Sequence, residues 1–398
     1  MLFMNATRQG LTPALVMLMS VATGLCVASN YYVQPLLNTI AQQFDLSVSL
    51  AGFIVTTAQL GYACGLLLLV PLGDRFERRS LIVTMILLAA AGMVIIALSH
   101  TFLFLLLGTV MTGLFSVAAQ ILVPLAATLA EPERRGKIVG TVMSGLLLGI
   151  LLARTVAGGL AQLGGWRTVY WTASLLMVVM ALALWRSLPR VKQSVPMSYP
   201  QLLASIFRLY AGNRVIRTRA WTGCLSFANF SLLWTSMAFL LSGAPYNFSE
   251  GEIGLLGLVG AAGALAARQA GSLADKGKAK LTTRLGLLLM LLSWAAIAWG
   301  AQQLMALIVG ILLLDLAVQA VHITNQSVIY AQMPEARNRL NAGYMTSYFI
   351  GGAAGSLLSA TAYHLAGWYG VCIAGALLTL VNLLIWAVGS RFEPEKIN

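Results

Sequence analysis

The chain contains one long pattern twice, and matched positions in the two copies are about 202 residues apart. The first copy consists of Pro132, Glu133, Arg135, Met143, Gly149, Leu163, Gly165 and Trp166, and the second of Pro334, Glu335, Arg337, Met345, Gly351, Leu365, Gly367 and Trp368. A shorter match pairs Leu72, Asp74, Arg75 and Arg79 with Leu273, Asp275, Lys276 and Lys280. In helical membrane proteins, two parallel copies of one unit are typical of halves that move about a central site. The repeat therefore favours movement of a solute over bond chemistry.

Hydrophobic residues make up 59% of the chain and charged residues 9%, which is far too apolar for an ordinary soluble domain. Twelve apolar stretches are long enough to cross about 30 Å of hydrocarbon as helices. They are 12–37, 48–72, 79–99, 101–130, 137–163, 167–187, 217–243, 250–273, 281–300, 302–331, 338–363 and 368–389. We predict an all-α membrane protein with twelve transmembrane helices in two pseudo-symmetric six-helix bundles, formed by residues 1–187 and 217–398.

The segment between the bundles, residues 188–216, is basic and contains Pro189, Pro196 and Pro200. Within it, the apolar residues of the stretch 199–210 recur at helical spacing. We expect a cytoplasmic linker with an amphipathic helix on the inner membrane surface.

A formal charge of +13 invites a nucleic-acid partner, but the positions of the basic residues argue against one. If residue 1 is cytoplasmic, all but two of the 25 Lys and Arg residues fall in cytoplasmic segments, the exceptions being Arg154 and Arg167. Basic residues favour the cytoplasmic side of a membrane, so we predict that both termini are cytoplasmic and that the partner is the lipid bilayer. The four Cys residues lie within predicted spans and have no spacing typical of a metal site.

A charged motif stands between the second and third predicted spans, in the order Pro71, Leu72, Gly73, Asp74, Arg75, Phe76, Glu77, Arg78 and Arg79. It resembles the signature of the major facilitator superfamily, Gly-x-Leu-Ala-Asp-Arg-x-Gly-Arg-Arg. Val70 and Glu77 stand where the signature has Gly, whereas the Asp and the three Arg positions match. With the repeat and the linker, the resemblance covers essentially the whole chain. In general pattern the chain is most similar to the bacterial drug/proton antiporter-like branch of the family.

The resemblance implies a gate on the cytoplasmic side. Its expected residues are Asp74, Arg75, Arg78, Arg79, Arg134, Arg135, Asp275 and Lys276. The Asp74 carboxylate would accept hydrogen bonds from a helix N-terminus and pair with Arg134 or Arg135, holding the outward-facing state closed inside. The alternative is that the basic residues of the motif only fix topology.

Two departures from the family pattern bear on mechanism. Thr109 stands four positions before Gly113, where members with a proton-relay Arg carry that Arg. That proton-relay route is therefore missing. The fifth helix lacks the Pro that follows the second Gly in the drug-antiporter branch, and it contains Arg154 farther along. This second departure weakens a transfer of the drug-efflux function, whereas glycines in the fifth helix allow close helix packing.

One acidic residue of the twelve, Asp315, is predicted to lie near mid-membrane. Asp315, Gln319, His322 and Gln326 share one helical face, with Asn325 adjoining. Such a stripe needs an aqueous cavity or polar partners. Asp315 either binds the coupling proton, with His322 as a second titrating group, or both residues form permanent structural contacts.

Arg154 is the one cation predicted to lie in the middle of a span. It could pair with Asp315, contact an anionic substrate group or satisfy backbone carbonyls. The full set of predicted substrate and cavity residues is Arg154, Asn30, Tyr31, Tyr32, Gln34, Gln120, Asn229, Gln319, Asn325 and Gln326.

These patterns predict a monomeric secondary transporter of the bacterial inner membrane, which moves a small organic solute by alternating access without a cofactor and with the proton gradient as energy source. Export in exchange for protons is the preferred function. Uptake or symport of a small anionic metabolite is the alternative that Arg154 favours. An intramembrane enzyme or sensor is less favoured, because the sequence has no nucleotide-binding loop, zinc motif or nucleophile elbow.

Overall fold

The computed structural model describes residues 11–131, 134–192, 197–266, 277–333 and 336–392. In these ranges the regular structure is helical. The first half contains α1 (Pro13–Ala28), α2 (Leu37–Gln43), α3 (Val48–Leu68), α4 (Arg78–Leu98), α5 (Phe102–Phe115), α6 (Ala119–Leu129), α7 (Arg135–Gly164) and α8 (Trp166–Ser187). The linker forms α9 (Tyr199–Gly212), and the second half contains α10 (Arg214–Ser242), α11 (Glu250–Ala266), α12 (Ala279–Trp299), α13 (Leu304–Gln332) and α14 (Arg337–Gly389).

Within the described ranges, nine helical stretches are long and apolar enough to cross a membrane. The last of them, Asn338–Phe392, holds two spans, because Ala366 and Gly367 depart from helical geometry and divide α14. The shorter helices α1 and α11 occupy the first and eighth predicted positions. A helix, or two helices joined by a short turn, therefore occupies each of the twelve predicted spans.

The first span is interrupted, although its sequence predicted one continuous helix over 12–37. Helix α1 ends at Ala28, residues 29–33 form turns, and a short 3-10 helix, Gln34–Leu36, leads into α2. Pro35 contributes to the break because it has no backbone N–H and restricts the residue before it. The polar residues of this region consequently do not follow one helical face.

Glycines bring helices into backbone contact at equivalent places in both halves. Gly149 of α7 lies against Gly24 of α1, and a Cβ atom on Gly24 would lie 2.6 Å from the carbonyl oxygen of Gly145. In the second half, a Cβ atom on Gly351 of α14 would lie 2.6 Å from the carbonyl carbon of Cys224 in α10. Because Gly149 and Gly351 are matched in the repeat, the two copies use the same close helix packing.

The repeat also preserves a turn before the last helix of each half. Gly165 has φ of +82° and Gly367 has φ of +61°, values that glycine adopts far more readily than other residues. Trp166 and Trp368, which follow these glycines, are buried. Both side chains thus pack inside the protein directly after the turn.

Two helix pairs connect the halves. Helix α3 packs against α14, where the hydroxyl groups of Thr56 and Ser356 lie 2.7 Å apart. Helix α7 packs against α11, where the Thr155 hydroxyl donates to the Gly254 carbonyl oxygen at 2.9 Å. Arg154 precedes this second contact directly, so the seam between the halves positions its side chain.

Helix α9 lies in the linker and contacts both halves. Its N-cap, Ser198, forms a capping box with Gln201. The Tyr199 hydroxyl donates to the Leu68 carbonyl oxygen and the Tyr210 hydroxyl to the Leu340 carbonyl oxygen, each at 2.6 Å. The linker is therefore tied to the end of α3 and to the start of α14.

Candidate functional site

Arg154 lies on the seam between the halves, with only 2% of its surface exposed. Its Nε atom donates to Oε1 of Gln34 at 2.6 Å. The guanidinium carbon lies 4.0 Å from the ring centre of Trp234, 5.0 Å from that of Tyr31 and 5.1 Å from that of Phe230. Aromatic faces attract a desolvated cation, so three rings from two halves stabilise this charge.

Asp315 lies in α13, with 4% of its surface exposed. Nε1 of Trp234 donates to its Oδ1 atom at 3.3 Å. On α11, Gly260 leaves room for the carboxyl group, because a Cβ atom at that position would collide with Oδ2 of Asp315. A neighbouring glycine, Gly257, stands against the Cβ atom of Arg154. Two glycines of one helix thus accommodate both buried charges.

Trp234 connects the two buried charges. Arg154 and Asp315 interact electrostatically, but their charged atoms are not within the 4.0 Å of an ion pair. The direct pair that the sequence suggested is replaced by an indirect one, in which the indole ring faces the cation and the indole N–H reaches the acid. We call Arg154, Trp234 and Asp315 the central triad.

An aromatic cluster continues from the central triad. Phe227 stacks on Phe230 at 5.2 Å between ring centres and on Tyr348 at 4.1 Å. Tyr62 of α3 lies 4.3 Å from Phe349 of α14, which carries the cluster across the seam. The sequence analysis did not identify these residues, because aromatic residues in a membrane helix carry no local signal that separates packing from a site.

The polar stripe of α13 is present, but its members have different surroundings. His322 Nδ1 lies 3.0 Å from the Tyr344 hydroxyl, and Gln326 Nε2 donates to Oδ1 of Asn341 at 3.5 Å. Gln319, His322 and Gln326 are partly exposed. His322 therefore has one ring nitrogen held by a hydroxyl group, which is compatible with either of its predicted roles.

Two predicted cavity residues, Asn30 and Asn229, are directed into the bundles instead of the seam, and a third, Tyr32, is buried. Asn30 lines a small space inside the first half, because the break after α1 separates it from the face of Gln34. Asn229 is enclosed in the second half, where its Oδ1 atom accepts from Trp294 and from Thr379, each at 2.9 Å.

Two other predicted residues have defined partners. Gln120 donates through Nε2 to the Tyr62 hydroxyl at 3.3 Å, and it lines a cavity on the predicted cytoplasmic side. Asn325 is fully buried and turned into the second half, where Nδ2 donates to the Tyr344 hydroxyl at 3.5 Å. The Tyr344 hydroxyl is also the partner of His322, so it connects the partly exposed stripe to the buried Asn325.

A second buried cation, Arg219, was assigned to a cytoplasmic segment by the sequence analysis. Helix α10 begins at Arg214, earlier than predicted, so Arg219 lies inside the helix and is fully buried. Its Nη1 atom donates to Thr283 at 2.6 Å and to Oδ1 of Asn325 at 3.1 Å. Polar residues on two other helices of the second half, α12 and α13, thus hold this charge.

The gate motif forms a compact ionic group. Asp74 Oδ1 lies 3.5 Å from Nη2 of Arg78, another residue of the same motif. Arg78 also donates to the Gly73 carbonyl oxygen at 3.1 Å and to Thr128 at 3.2 Å. Arg134 is exposed. The side chain of Arg135, and the residues Asp275 and Lys276, lie outside the described part of the structure.

The rest of the motif has separate functions. Arg75 is exposed, whereas Arg79 lies over the Trp185 ring at 4.6 Å and donates to the Leu188 carbonyl oxygen at 3.4 Å. Glu77, which replaces the glycine of the signature, is the N-cap of α4 and accepts from the backbone N–H of Arg79 at 2.8 Å. The departure at this position therefore stabilises a helix start.

A partly open cleft lies between the motif and the second half. Asp74 and Arg78 line one side of it, and Arg339 lines the other and acts electrostatically on Asp74. The motif is thus positioned to attract the opposite half at this end of the molecule. Among the residues that the structure describes, no cluster of His, Cys, Asp or Glu could hold a metal ion.

The chain matches the family model of the Major Facilitator Superfamily over residues 19–267 and 220–398. It is 68% identical to an uncharacterized transporter, YgaY, of Escherichia coli over 96% of this chain and 97% of that protein. A probable transporter of Streptomyces coelicolor is 34% identical over 91% of this chain and 85% of its own length.

Among solved structures, a bacterial homologue of the human lysosomal transporter Spinster, in an inward-facing and occupied conformation, matches with a TM-score of 0.80. The match covers 96% of this chain and 98% of that one at 16% identity, which shows the shared fold. Family, relatives and fold agree with the duplicated helices described above. The chain belongs to the major facilitator superfamily and is a multi-pass membrane transporter.

Proposed function

We propose that this protein is a proton-coupled transporter of a small organic solute in the bacterial inner membrane, with both termini cytoplasmic and Asp315 as the proton site. The observation that supports the proposal is the central triad. A carboxyl group of the second half is linked through Trp234 to a cation of the first half, at the seam where the halves must separate. A change in the charge of Asp315 alters its attraction to Arg154 and thereby the balance between conformations.

Export in exchange for protons is the direction that we prefer, on the resemblance to drug/proton antiporters. Antiport requires that the proton and the solute exclude each other from the site. A neutral or cationic solute that makes its contacts with ionised Asp315 meets that requirement, because protonation of the carboxyl group removes the charge that the solute needs.

Uptake of an anionic solute together with a proton is the second candidate, and Arg154 is the observation that favours it. Ionised Asp315 offsets the positive potential of Arg154, so protonation of Asp315 strengthens the attraction of Arg154 for an anion. In that arrangement the proton and the solute bind together and move in the same direction.

Sealed vesicles that contain the purified protein and an internal pH dye separate the two candidates. We expect a transported solute, added outside, to raise the internal pH by antiport or to lower it by symport. The variant Asp315→Asn should abolish the proton movement. Its matched control is Asp45→Asn, the same chemical change at an exposed position. Proton movement that is equal in Asp315→Asn and in the unaltered protein would refute the proposal.

A further inference from the structure

We propose that Arg154 and Gln34 form a binding site for the carboxylate group of an organic acid with a flat, apolar body. This inference rests on the proposed function only in taking the seam as the place where the solute binds. It does not depend on proton coupling, and of the two candidates it agrees with the second, in which the solute is an anion.

Two buried donors carry the inference. Arg154 is 2% exposed and Gln34 is 1% exposed. Nη2 of Arg154 and Nε2 of Gln34 have no hydrogen-bond partner within the described ranges. The two side chains are joined by the bond from Arg154 Nε to Gln34 Oε1, so their free donors belong to one polar group. A buried donor without a partner is costly, and a ligand with acceptor oxygens removes that cost.

The surroundings of Arg154 leave its outer edge for a ligand. Trp234 covers the face of the guanidinium group, and Gln34 takes the Nε edge. The free Nη2 atom lies in the guanidinium plane, where a carboxylate oxygen makes a charge-assisted hydrogen bond. The amide of Gln34 supplies the donor for the second oxygen. A cationic ligand group has no acceptor to meet at these two atoms.

Asp315 is not the acceptor for the free Nη2 atom of Arg154 or the free Nε2 atom of Gln34. Its Oδ1 atom accepts from Trp234, and its carboxyl group lies beyond ion-pair distance of Arg154. The walls around the donors are aromatic, since Tyr31 and Phe230 lie 5.0 and 5.1 Å from the guanidinium carbon. Aromatic walls bind a flat apolar body by stacking, and they offer few acceptors for polar groups on it.

Binding to the purified protein in lipid nanodiscs tests the inference with three acids and their amides: benzoate and benzamide, cinnamate and cinnamamide, and indole-3-acetate with its amide. We expect at least one acid to bind about tenfold or more tightly than its own amide, because the amide lacks the charge that Arg154 attracts. Calorimetry gives the affinities. Preference for the amide, or equal affinity within all three pairs, would overturn the inference.

Variants assign the binding to the two donors. Gln34→Glu keeps an acceptor for Arg154 Nε but replaces the free donor with a negative charge. It should therefore lower the affinity for the preferred acid about tenfold or more and leave the affinity for its amide unchanged. Arg154→Gln should do the same. Arg190→Gln, at an exposed position outside the predicted gate, is the control. Unchanged acid affinity in folded Gln34→Glu protein would contradict the inference even if Arg154→Gln fails to fold.

The outcomes also separate this inference from the proposed function. Acid binding that depends on Gln34, together with proton movement that does not depend on Asp315, refutes proton coupling and supports the carboxylate site. Proton movement that depends on Asp315, with no preference for any acid, supports proton coupling and refutes the carboxylate site.

Discussion

Among the buried arginines that the structure describes, Arg219 and Arg154 are held in different ways. Arg219 is enclosed in the second half, where it donates to Thr283 and Asn325. Arg154 stands on the seam between the halves, where Gln34 is its hydrogen-bond partner, aromatic rings cover its face and its Nη2 atom is unpartnered. The first arrangement suits a permanent structural charge, and the second suits a charge that changes partners.

This difference shows why burial alone does not identify a site. Both residues are almost inaccessible, and both are expensive to place in a membrane protein. What distinguishes them is whether the surrounding polar groups belong to one half or to both. Contacts inside one half persist when the halves move, whereas contacts across the seam must be remade.

The largest expected effect is on folding. Arg219→Met should destabilise the protein by about 3 kcal/mol or more, because it leaves the buried polar groups of Thr283 and Asn325 without their partner. Arg154→Met should cost about 1 kcal/mol or less, since it also removes an unpartnered donor. Thermal unfolding in detergent measures both. Equal losses of stability would break the comparison between the two arginines.

The next effect is on transport. Arg154→Gln should lower solute-driven proton movement about tenfold or more, because a charge-assisted contact on the seam contributes about 1.5–3 kcal/mol. Thermal stability should stay close to that of the unaltered protein. Vesicles with an internal pH dye give the rate. Full activity in this variant would show that the seam arginine is as structural as Arg219.

A smaller effect is expected at a partner of Arg219. Asn325→Leu should reduce stability by about 1.5 kcal/mol, because one hydrogen bond to a buried cation is lost. Solute binding should be unchanged, since Asn325 is turned into the second half. Unfolding and calorimetric binding on the same preparation test both statements. A loss of solute binding with unchanged stability would show instead that Asn325 contacts the solute, as the sequence predicted.

The smallest effect concerns the link between the charges. Trp234→Phe keeps an aromatic face for Arg154 but removes the N–H donor to Asp315, so we expect transport to fall about fivefold, which corresponds to about 1 kcal/mol. Initial rates of proton movement provide the measurement. A rate unchanged within error would mean that the indole N–H does not couple the two residues.

Much of the architecture was accessible from the sequence. The repeat and the apolar stretches predicted the helices, because bilayer thickness and backbone hydrogen bonding leave few alternatives. Asp315 and Arg154 were found because charges are rare at that depth. The close glycine packing at Gly149 follows from its spacing with Gly145.

Other features were beyond the reach of local patterns. The break after Ala28 changes which residues face the seam, so Asn30 and Gln34 could not be separated by helical spacing. Arg219 was assigned to a cytoplasmic segment because a basic residue near the end of a span usually marks the cytoplasmic side of the membrane. The role of Trp234 depends on contacts with residues about 80 positions away on both sides, which a single sequence does not encode locally.

The backbone contact at Gly149 and its counterpart at Gly351 has a mechanical consequence. Helices that pack this closely cannot slide past each other without a steric clash. Each copy therefore contains one rigid helix pair, here called a spine, formed by α1 and α7 in the first half and by α10 and α14 in the second. Arg154 is carried on one spine and Trp234 on the other. A movement of one half against the other therefore changes the distance between the two helix pairs. Spectroscopic labels placed on the two pairs would measure that distance.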